Sequence, residues 1–235
     1  MKGKKIVKTI LIVIAVLALV ELIALLKLKA SVEGYKKHWE KQNSIGVVSG
    51  SQLYIAMGDS AAQSIGASQP QKGYVGLIAE GLARKTNKNV QTINLSVSGA
   101  KIQDVIDKQI PRLKDFNVDA DTIITLDIGG NEMRTFNEAD FRLRMEELVR
   151  QLPKQTLVAD VPYFGGGRYR NLEPKVVQAN KIIYDLTQTY DVKMIPLHET
   201  TEAKKSIFVN SADLFHPSDK GYRNWYEAFR QAPGI

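Results

Sequence analysis

The sequence predicts a three-layer α/β domain with a parallel sheet of about five strands, set behind one N-terminal transmembrane helix. Three observations carry that expectation. From residue 52 onward, short β-type runs alternate with longer helical ones, the pattern of repeated βαβ units. Two of the strand runs, Thr122-Ile123-Ile124-Thr125-Leu126 and Thr156-Leu157-Val158-Ala159, are apolar or β-branched throughout, as strands covered on both faces require. The start of the chain holds one long apolar run bounded by lysines.

That run extends from Ile6 to Leu26, about 21 residues, and at about 1.5 Å per residue a helix of that length matches the roughly 30 Å of a bilayer core. Lys2, Lys4, Lys5 and Lys8 precede or open it, and Lys27 and Lys29 follow. The positive-inside bias places the N-terminus in the cytoplasm and the remainder outside. Glu21 lies within the span but off its midpoint, which lowers the cost of carrying it. A cleavable signal peptide has the same basic start, but Leu28-Lys29-Ala30 is a poor small-x-small cleavage site, so the expectation is an uncleaved single-pass anchor. Secretion after cleavage is the alternative. The chain thus divides into an anchor at 1–29, a membrane-proximal spacer at 30–50 and a globular domain at 51–235. Within the spacer, His38 reads as an exposed histidine of no special role.

In the domain, strands are expected at 52–57, 90–97, 121–128, 156–161 and 192–197. Helices are expected at 73–86, 101–115, 138–152, 174–190 and 219–231. Ligands of such sheets bind at the carboxyl ends of the strands. Gly58-Asp59-Ser60 follows the first strand, Ser98-Gly99 the second, Gly129-Gly130-Asn131-Glu132 the third and Pro162-Tyr163 the fourth, so all four motifs fall on one edge.

Composition removes several function classes. The chain has no cysteine, which excludes disulfides, thiolate metal sites and a cysteine nucleophile. Its net charge of +7 resides mainly in residues 1–29, which carry six lysines against Glu21. No basic face or nucleic-acid motif is left on the domain, and no nucleic-acid partner is expected. The three histidines lack metal-ligand spacing, so neither metal nor cofactor is expected.

The remaining chemistry centres on Ser60 and on Asp213-Leu214-Phe215-His216. Ester cleavage by serine needs a hydroxyl with a base beside it, a group that orients the base, and donors for the developing oxyanion. Ser60 is the candidate nucleophile, His216 its base and Asp213 the orienting acid. The backbone N–H groups of Ser60 and Gly99 and the side-chain amide of Asn131 are the candidate oxyanion donors. Blander roles compete: a turn or helix-capping serine at 60, a turn residue at Asn131, and a helix start at His216-Pro217. His198 has no matching motif and reads as a surface residue or one placed behind the site. Gly165-Gly166-Gly167-Arg168-Tyr169-Arg170 lacks the Gly-Lys-Ser/Thr ending of a phosphate loop and reads as a flexible loop flanking the site, where Arg168 and Arg170 are positioned to meet an anionic substrate.

Four blocks in order, Ile55-Ala56-Met57-Gly58-Asp59-Ser60, Asn94-Leu95-Ser96-Val97-Ser98-Gly99, Gly129-Gly130-Asn131-Glu132 and Asp213-Leu214-Phe215-His216-Pro217, resemble those of the SGNH hydrolase superfamily, the GDSL esterases and lipases. The resemblance covers residues 52 to about 230. It implies a flavodoxin-like fold, a Ser60-His216-Asp213 triad, an oxyanion hole of Ser60, Gly99 and Asn131, and an acyl-enzyme mechanism. It separates the chain from α/β-hydrolases, whose Gly-x-Ser-x-Gly elbow is absent. Glu132 stands where the family usually has aspartate, which puts the surroundings of Asn131 in question. Asp59 reads as structural. The expected function is that of an exported, membrane-anchored serine esterase acting on a small-molecule, lipid or glycan ester, with O-acetyl groups one substrate class. Lysophospholipase- or thioesterase-like action on longer acyl chains is an alternative, as is a non-catalytic module that binds a surface glycan or partner.

Overall fold

The strands form where β-branched and apolar residues alternate between two covered faces. In β1 (Gln52–Gly58), Leu53, Ile55 and Met57 point to one side of the sheet and Tyr54 and Ala56 to the other, each side entering its own buried cluster. The computed structural model describes residues 2–46 and 48–235, with side chains from residue 6 onward. The side chains of Lys2, Lys4 and Lys5, invoked for the membrane orientation, lie outside the described set.

The element order is α1 (Lys2–Asn43), β1, α2 (Tyr74–Thr86), β2 (Val90–Asn94), α3 (Ile102–Asp104), β3 (Ile123–Asp127), α4 (Glu138–Gln151), β4 (Thr156–Ala159), α5 (Glu173–Thr189), β5 (Lys193–Ile195), α6 (Leu197–Ala203) and α7 (Asp219–Phe229). All four strand pairings are parallel and the sheet order is β2-β1-β3-β4-β5. This is the five-stranded flavodoxin-like arrangement that the sequence leads one to expect. Residues 102–113, α4 and α5 cover one face of the sheet, while α2, α6, α7 and the end of α1 cover the other. On the second face Tyr74 stacks on Phe229 at 5.1 Å between ring centroids and packs against Trp225 at 5.7 Å.

Four local features differ from expectation. The segment 101–115 is not one α-helix: α3 passes into a π-helical turn at Val105–Gln109 and a 3-10 stretch at Ile110–Asp115. Pro111 is the reason, because it lacks an N–H and its ring clashes with the preceding turn. β2 ends at Asn94 instead of 97, although the N–H groups of Leu95 and Val97 still donate to Ala56 O and Gly58 O of β1. The short helix α6 fills a stretch that the sequence leaves unassigned. Lastly, residues 30–43 continue α1 without a break, and its last turns are bonded to the domain. Trp39 is buried and its Nε1–H donates to Gln63 O, the Tyr35 hydroxyl donates to Ala67 O, and the Asn43 side chain bonds both backbone groups of Asn94. His38 is half-buried there, beside Gln71 and Trp39.

The N-terminal part of α1 is different in kind. Between Ile6 and Leu26 its apolar side chains are exposed, and its mean hydropathy reaches 3.0. It is the one helix among the described residues long and apolar enough to cross a membrane.

Candidate active site

Two loops at the carboxyl edge of the sheet carry the central groups. The first leaves β1 at Gly58, where φ is +140° and a Cβ would stand 2.1 Å from Asp127 O, so only glycine allows β1 to lie this close to β3. Buried Gln109 secures the same point, accepting from Gly58 N–H and donating to Gly58 O, each at 2.8 Å. Sequence reasoning misses Gln109. The available signal is a polar residue on the apolar stripe formed by Ile102, Val105, Ile106 and Leu113.

The second loop, 209–217, closes on itself. Ser211 N–H donates to His216 O and Ser218 N–H to Val209 O, and Leu214 takes a left-handed turn at φ +57°. Asp213 holds the loop from within, its Oδ1 accepting from Ser211 Oγ–H and from the N–H groups of Phe215 and His216. The loops meet at Gly66, where a Cβ would lie 2.4 Å from Pro217 O and 2.8 Å from His216 Cβ. Ser68 N–H and Oγ–H donate to the two carboxylate oxygens of Asp219, and the Tyr222 hydroxyl donates to Ile65 O.

This frame brings Ser60, His216 and Asp213 together. Ser60 Oγ lies 3.0 Å from His216 Nε2, and His216 Nδ1 lies 2.6 Å from Asp213 Oδ2. Ser60 caps no helix; α7 is capped instead by Ser218. Burial works against ionisation of Asp213, but hydrogen bonds from the imidazole and from two backbone N–H groups outweigh it and hold the carboxyl below the usual carboxylate range. These bonds favour the anionic form of Asp213, as suits a group that orients an imidazole and stabilises its cation.

Gly99 and Asn131 reach the same edge from β2 and β3. Gly99 sits in a turn at φ +81°, and no protein atom lies within 4 Å of where its Cβ would stand, so its requirement is conformational. Gln63 fixes that turn, donating to Ser96 O and accepting from Ser98 N–H. Neither Ser60 N–H nor Gly99 N–H donates a hydrogen bond within the described residues. Asn131 Nδ2 donates to Asp59 Oδ2 at 2.9 Å and to Ala100 O at 3.0 Å, engaging both amide hydrogens. Glu132, the departure from the expected aspartate, accepts from Ile102 N–H at 2.7 Å and thereby clasps the segment that follows Gly99. The longer side chain thus links the third block to the start of α3, while its buried Oε2 has no partner among the described residues.

Asp59 takes the structural part expected of it, its Oδ1 accepting from Ala61 N–H. Burial raises its carboxyl to about 6. Burial also raises Asp127, whose Oδ2 has no partner among the described residues, and lifts Asp160 to about 6. The three acids follow or end β1, β3 and β4, so they crowd beneath the edge that carries the site.

The remaining candidates lie apart. His198 ties α6 to α5, its Nε2 being 2.6 Å from Glu173 Oε1 while its N–H donates to Asp160 Oδ1. Phe164 N–H donates to Glu173 Oε2, pinning the start of the glycine-rich loop, which becomes a 3-10 turn at Gly167–Leu172. Arg168 and Arg170 are exposed, and Arg168 leans on the Tyr169 ring. Among the described residues no group of three or more His, Cys, Asp or Glu is placed to hold a metal ion. A cavity of about 400 Å³ adjoins the His216 loop, walled by Phe164, Tyr169, Ile207, Leu214, Phe215 and Trp225, with Ser60 outside its lining.

Residues 56–223 match the GDSL-like lipase/acylhydrolase family. Among curated proteins, the uncharacterized protein YpmR of Bacillus subtilis (strain 168) is 26% identical over 228 residues, covering 83% of this chain and 84% of that one. Solved structures share the fold at lower identity. A lipolytic protein of the G-D-S-L family from Veillonella parvula is 17% identical with a TM-score of 0.63, covering 78% of this chain and 98% of its own. TesA is 17% identical with a TM-score of 0.62, covering 78% and 100%. The acetylxylan esterase Axe2 of Geobacillus stearothermophilus is 17% identical with a TM-score of 0.57, covering 77% and 94%. With more than half its length matched by the family and the four blocks gathered on one edge of the expected sheet, the chain belongs to the GDSL-like lipase/acylhydrolase family, the SGNH hydrolases, and is an ester-hydrolysing serine hydrolase.

Proposed function

We propose that the protein is a membrane-anchored serine esterase, its domain exported, that deacylates its substrate through an acyl-enzyme at Ser60. The observation that carries this reading is the unbroken chain of contacts from Ser60 Oγ through His216 to Asp213, at 3.0 and 2.6 Å. Ser60 Oγ attacks the ester carbonyl carbon while its proton passes to His216 Nε2. Asp213 holds the imidazole by Nδ1 and offsets its positive charge. As the carbonyl carbon–alkoxy bond breaks, His216 returns the proton to the leaving alcohol. Water then attacks the acyl-Ser60 ester, gives a proton to His216 and releases the carboxylic acid, and Ser60 recovers its hydrogen.

The oxyanion is received by the N–H groups of Ser60 and Gly99, which are otherwise unspent, and by Asn131. For Asn131 to contribute, the amide hydrogen accepted by Ala100 O is shared with the oxyanion, while the bond to Asp59 Oδ2 holds the amide in place. The apolar helix of α1 and its flanking lysines support a single-pass anchor with the domain on the extracytoplasmic side. The contacts of Ser60, His216 and Asp213 favour hydrolysis over a purely binding role. The test is hydrolysis of nitrophenyl esters by the full chain in detergent, compared with Ser60→Ala. Activity in the parent and its loss in the variant are expected; full activity in Ser60→Ala contradicts the reading.

A further inference from the structure

Ser60 N–H and Gly99 N–H belong to loops that leave different strands, so their use as a pair of oxyanion donors requires one loop to be held against the other. Gly99 is exposed, and its turn closes through Ala100 N–H to Val97 O at 2.9 Å. Beyond Gly99 the turn is held from the β3 side, by Asn131 at Ala100 O and Glu132 at Ile102 N–H. Before Gly99 it is held from the Ser60 loop. Buried Gln63, three residues after Ser60, donates to Ser96 O at 2.9 Å and accepts from Ser98 N–H at 3.1 Å. Buried Asn94 makes a second bridge, its Nδ2 donating to Ala62 O at 2.7 Å while its Oδ1 accepts from Ser96 N–H at 3.1 Å. Each side-chain amide is thus used at both ends.

Both bridges are gripped in turn by α1. Trp39 Nε1–H donates to Gln63 O at 3.2 Å, and the Asn43 side chain pairs with the N–H and the carbonyl of Asn94, each at 2.8 Å. β2 is an edge strand, so Asn43 bonds backbone groups that no neighbouring strand takes up. Between residues 31 and 43 Trp39 is the one buried side chain. A helix docked for its apolar face would bury a stripe; this one instead spends its hydrogen bonds on the residues that span the two oxyanion loops. Tyr35 bonds elsewhere, to Ala67 O, away from the Gly99 turn.

We propose that Gln63 is a positioning residue for the oxyanion hole and that Trp39 and Asn43 hold the Gln63 and Asn94 bridges in register, which makes the last turns of α1 part of the catalytic unit. This role rests on the hydrolytic reading of Ser60, His216 and Asp213, and extends it to residues outside the four blocks. An oxyanion donor acts only within about 2.7–3.1 Å of the developing charge, so a small shift of the Gly99 turn weakens the transition state and leaves substrate binding alone.

The experiment uses the full chain in detergent, with nitrophenyl butyrate as substrate and butylboronic acid as inhibitor. Ser60 Oγ adds to boron as its proton passes to His216, and the tetrahedral anion places an oxygen where the oxyanion forms. Rates are expressed per Ser60 labelled by a fluorophosphonate at completion, which removes any unfolded fraction from the comparison. Gln63→Met is expected to lower kcat and raise the boronate Ki by a common factor of about tenfold or more, with KM changed less than about twofold. Trp39→Phe, which keeps an aromatic ring but loses the N–H, and Asn43→Ala are each expected to do the same by about threefold. Tyr35→Phe, which removes a hydrogen bond of the same helix, should leave kcat and Ki unchanged. Unchanged kcat and Ki in Gln63→Met, or a loss carried by KM alone, overturns the role of Gln63. Effects of Tyr35→Phe equal to those of Trp39→Phe and Asn43→Ala overturn the role of α1, because they mark a helix that only steadies the domain; the serine esterase reading stands in each of these cases. No hydrolysis by the parent, with neither boronate inhibition nor labelling of Ser60, overturns the hydrolytic reading and this role with it.

Discussion

The two sides of the His216 loop are built on opposite principles. Toward Ser60, the loop is clamped: Gly66 leaves no room for a methyl group, Asp213 accepts four hydrogen bonds, and Ser68 and Tyr222 tie the neighbouring segments down. Away from Ser60, toward Ile207, Phe208 and Leu214, the same loop borders an open apolar cavity. The chemistry of a serine esterase needs fixed distances, because a displacement of about 1 Å can cost about 10²-fold in rate. Accommodation of an apolar group needs room and little directional bonding. Changes on the clamped side should lower kcat for every ester alike, and changes on the open side should alter discrimination between esters.

The largest effect is expected for Asp213→Asn, which keeps the shape but supports the wrong imidazole tautomer; kcat should fall about 10⁴-fold for short and long esters together. A fall confined to long esters would erase the contrast between the sides. Asn131→Ala removes one oxyanion donor and should lower kcat about 10²-fold with little change in KM. Gly66→Ala should push Pro217 and His216 away from Ser60 and lower kcat between about 10-fold and 10²-fold, measurable with nitrophenyl butyrate. Ile207→Asp, on the open side, should lower kcat/KM several-fold for long-chain esters; an equal loss for the acetyl ester would show that the two sides are not separable.

The smallest effect concerns stability. Asp160 has its carboxyl raised by burial to about 6, so the folded form binds its proton more tightly than the unfolded chain. That contribution is fully present below the unfolded value near 4 and is lost as pH rises through about 6, at most about 3 kcal/mol. Urea midpoints should therefore drop between pH 5 and 7 less steeply in Asp160→Asn, whose amide oxygen can still accept from His198 N–H, than in the parent. An unchanged slope would assign the pH dependence to Asp59 and Asp127.

Much of this architecture is legible in the chain because it is local. Strand alternation, the apolar span and the four short blocks each announce themselves within a dozen residues, and the sheet then gathers Ser60, Gly99, Asn131 and His216 at one edge by topology alone. What escapes depends on distant partners. Gln109 and Gln63 are ordinary polar residues until Gly58 and the Gly99 turn come to lie beside them. The docking of α1 through Tyr35, Trp39 and Asn43 uses hydrogen bonds to backbone groups, which leave no apolar stripe to read. The break at Pro111 is visible, but the surrounding apolar periodicity favours a continuous helix. Glu132 shows the converse: a sequence departure that raises a question about Asn131 is answered by the N–H of Ile102.

The central claim is that Ser60 is activated by His216 held by Asp213. Its most direct test is the rate at which a fluorophosphonate modifies the intact protein, read by mass spectrometry of the Ser60 peptide. The account predicts a single adduct on Ser60, formed at least 10²-fold more slowly in His216→Ala and absent in Ser60→Ala. An adduct on another serine, or a labelling rate unaffected by His216→Ala, would contradict it.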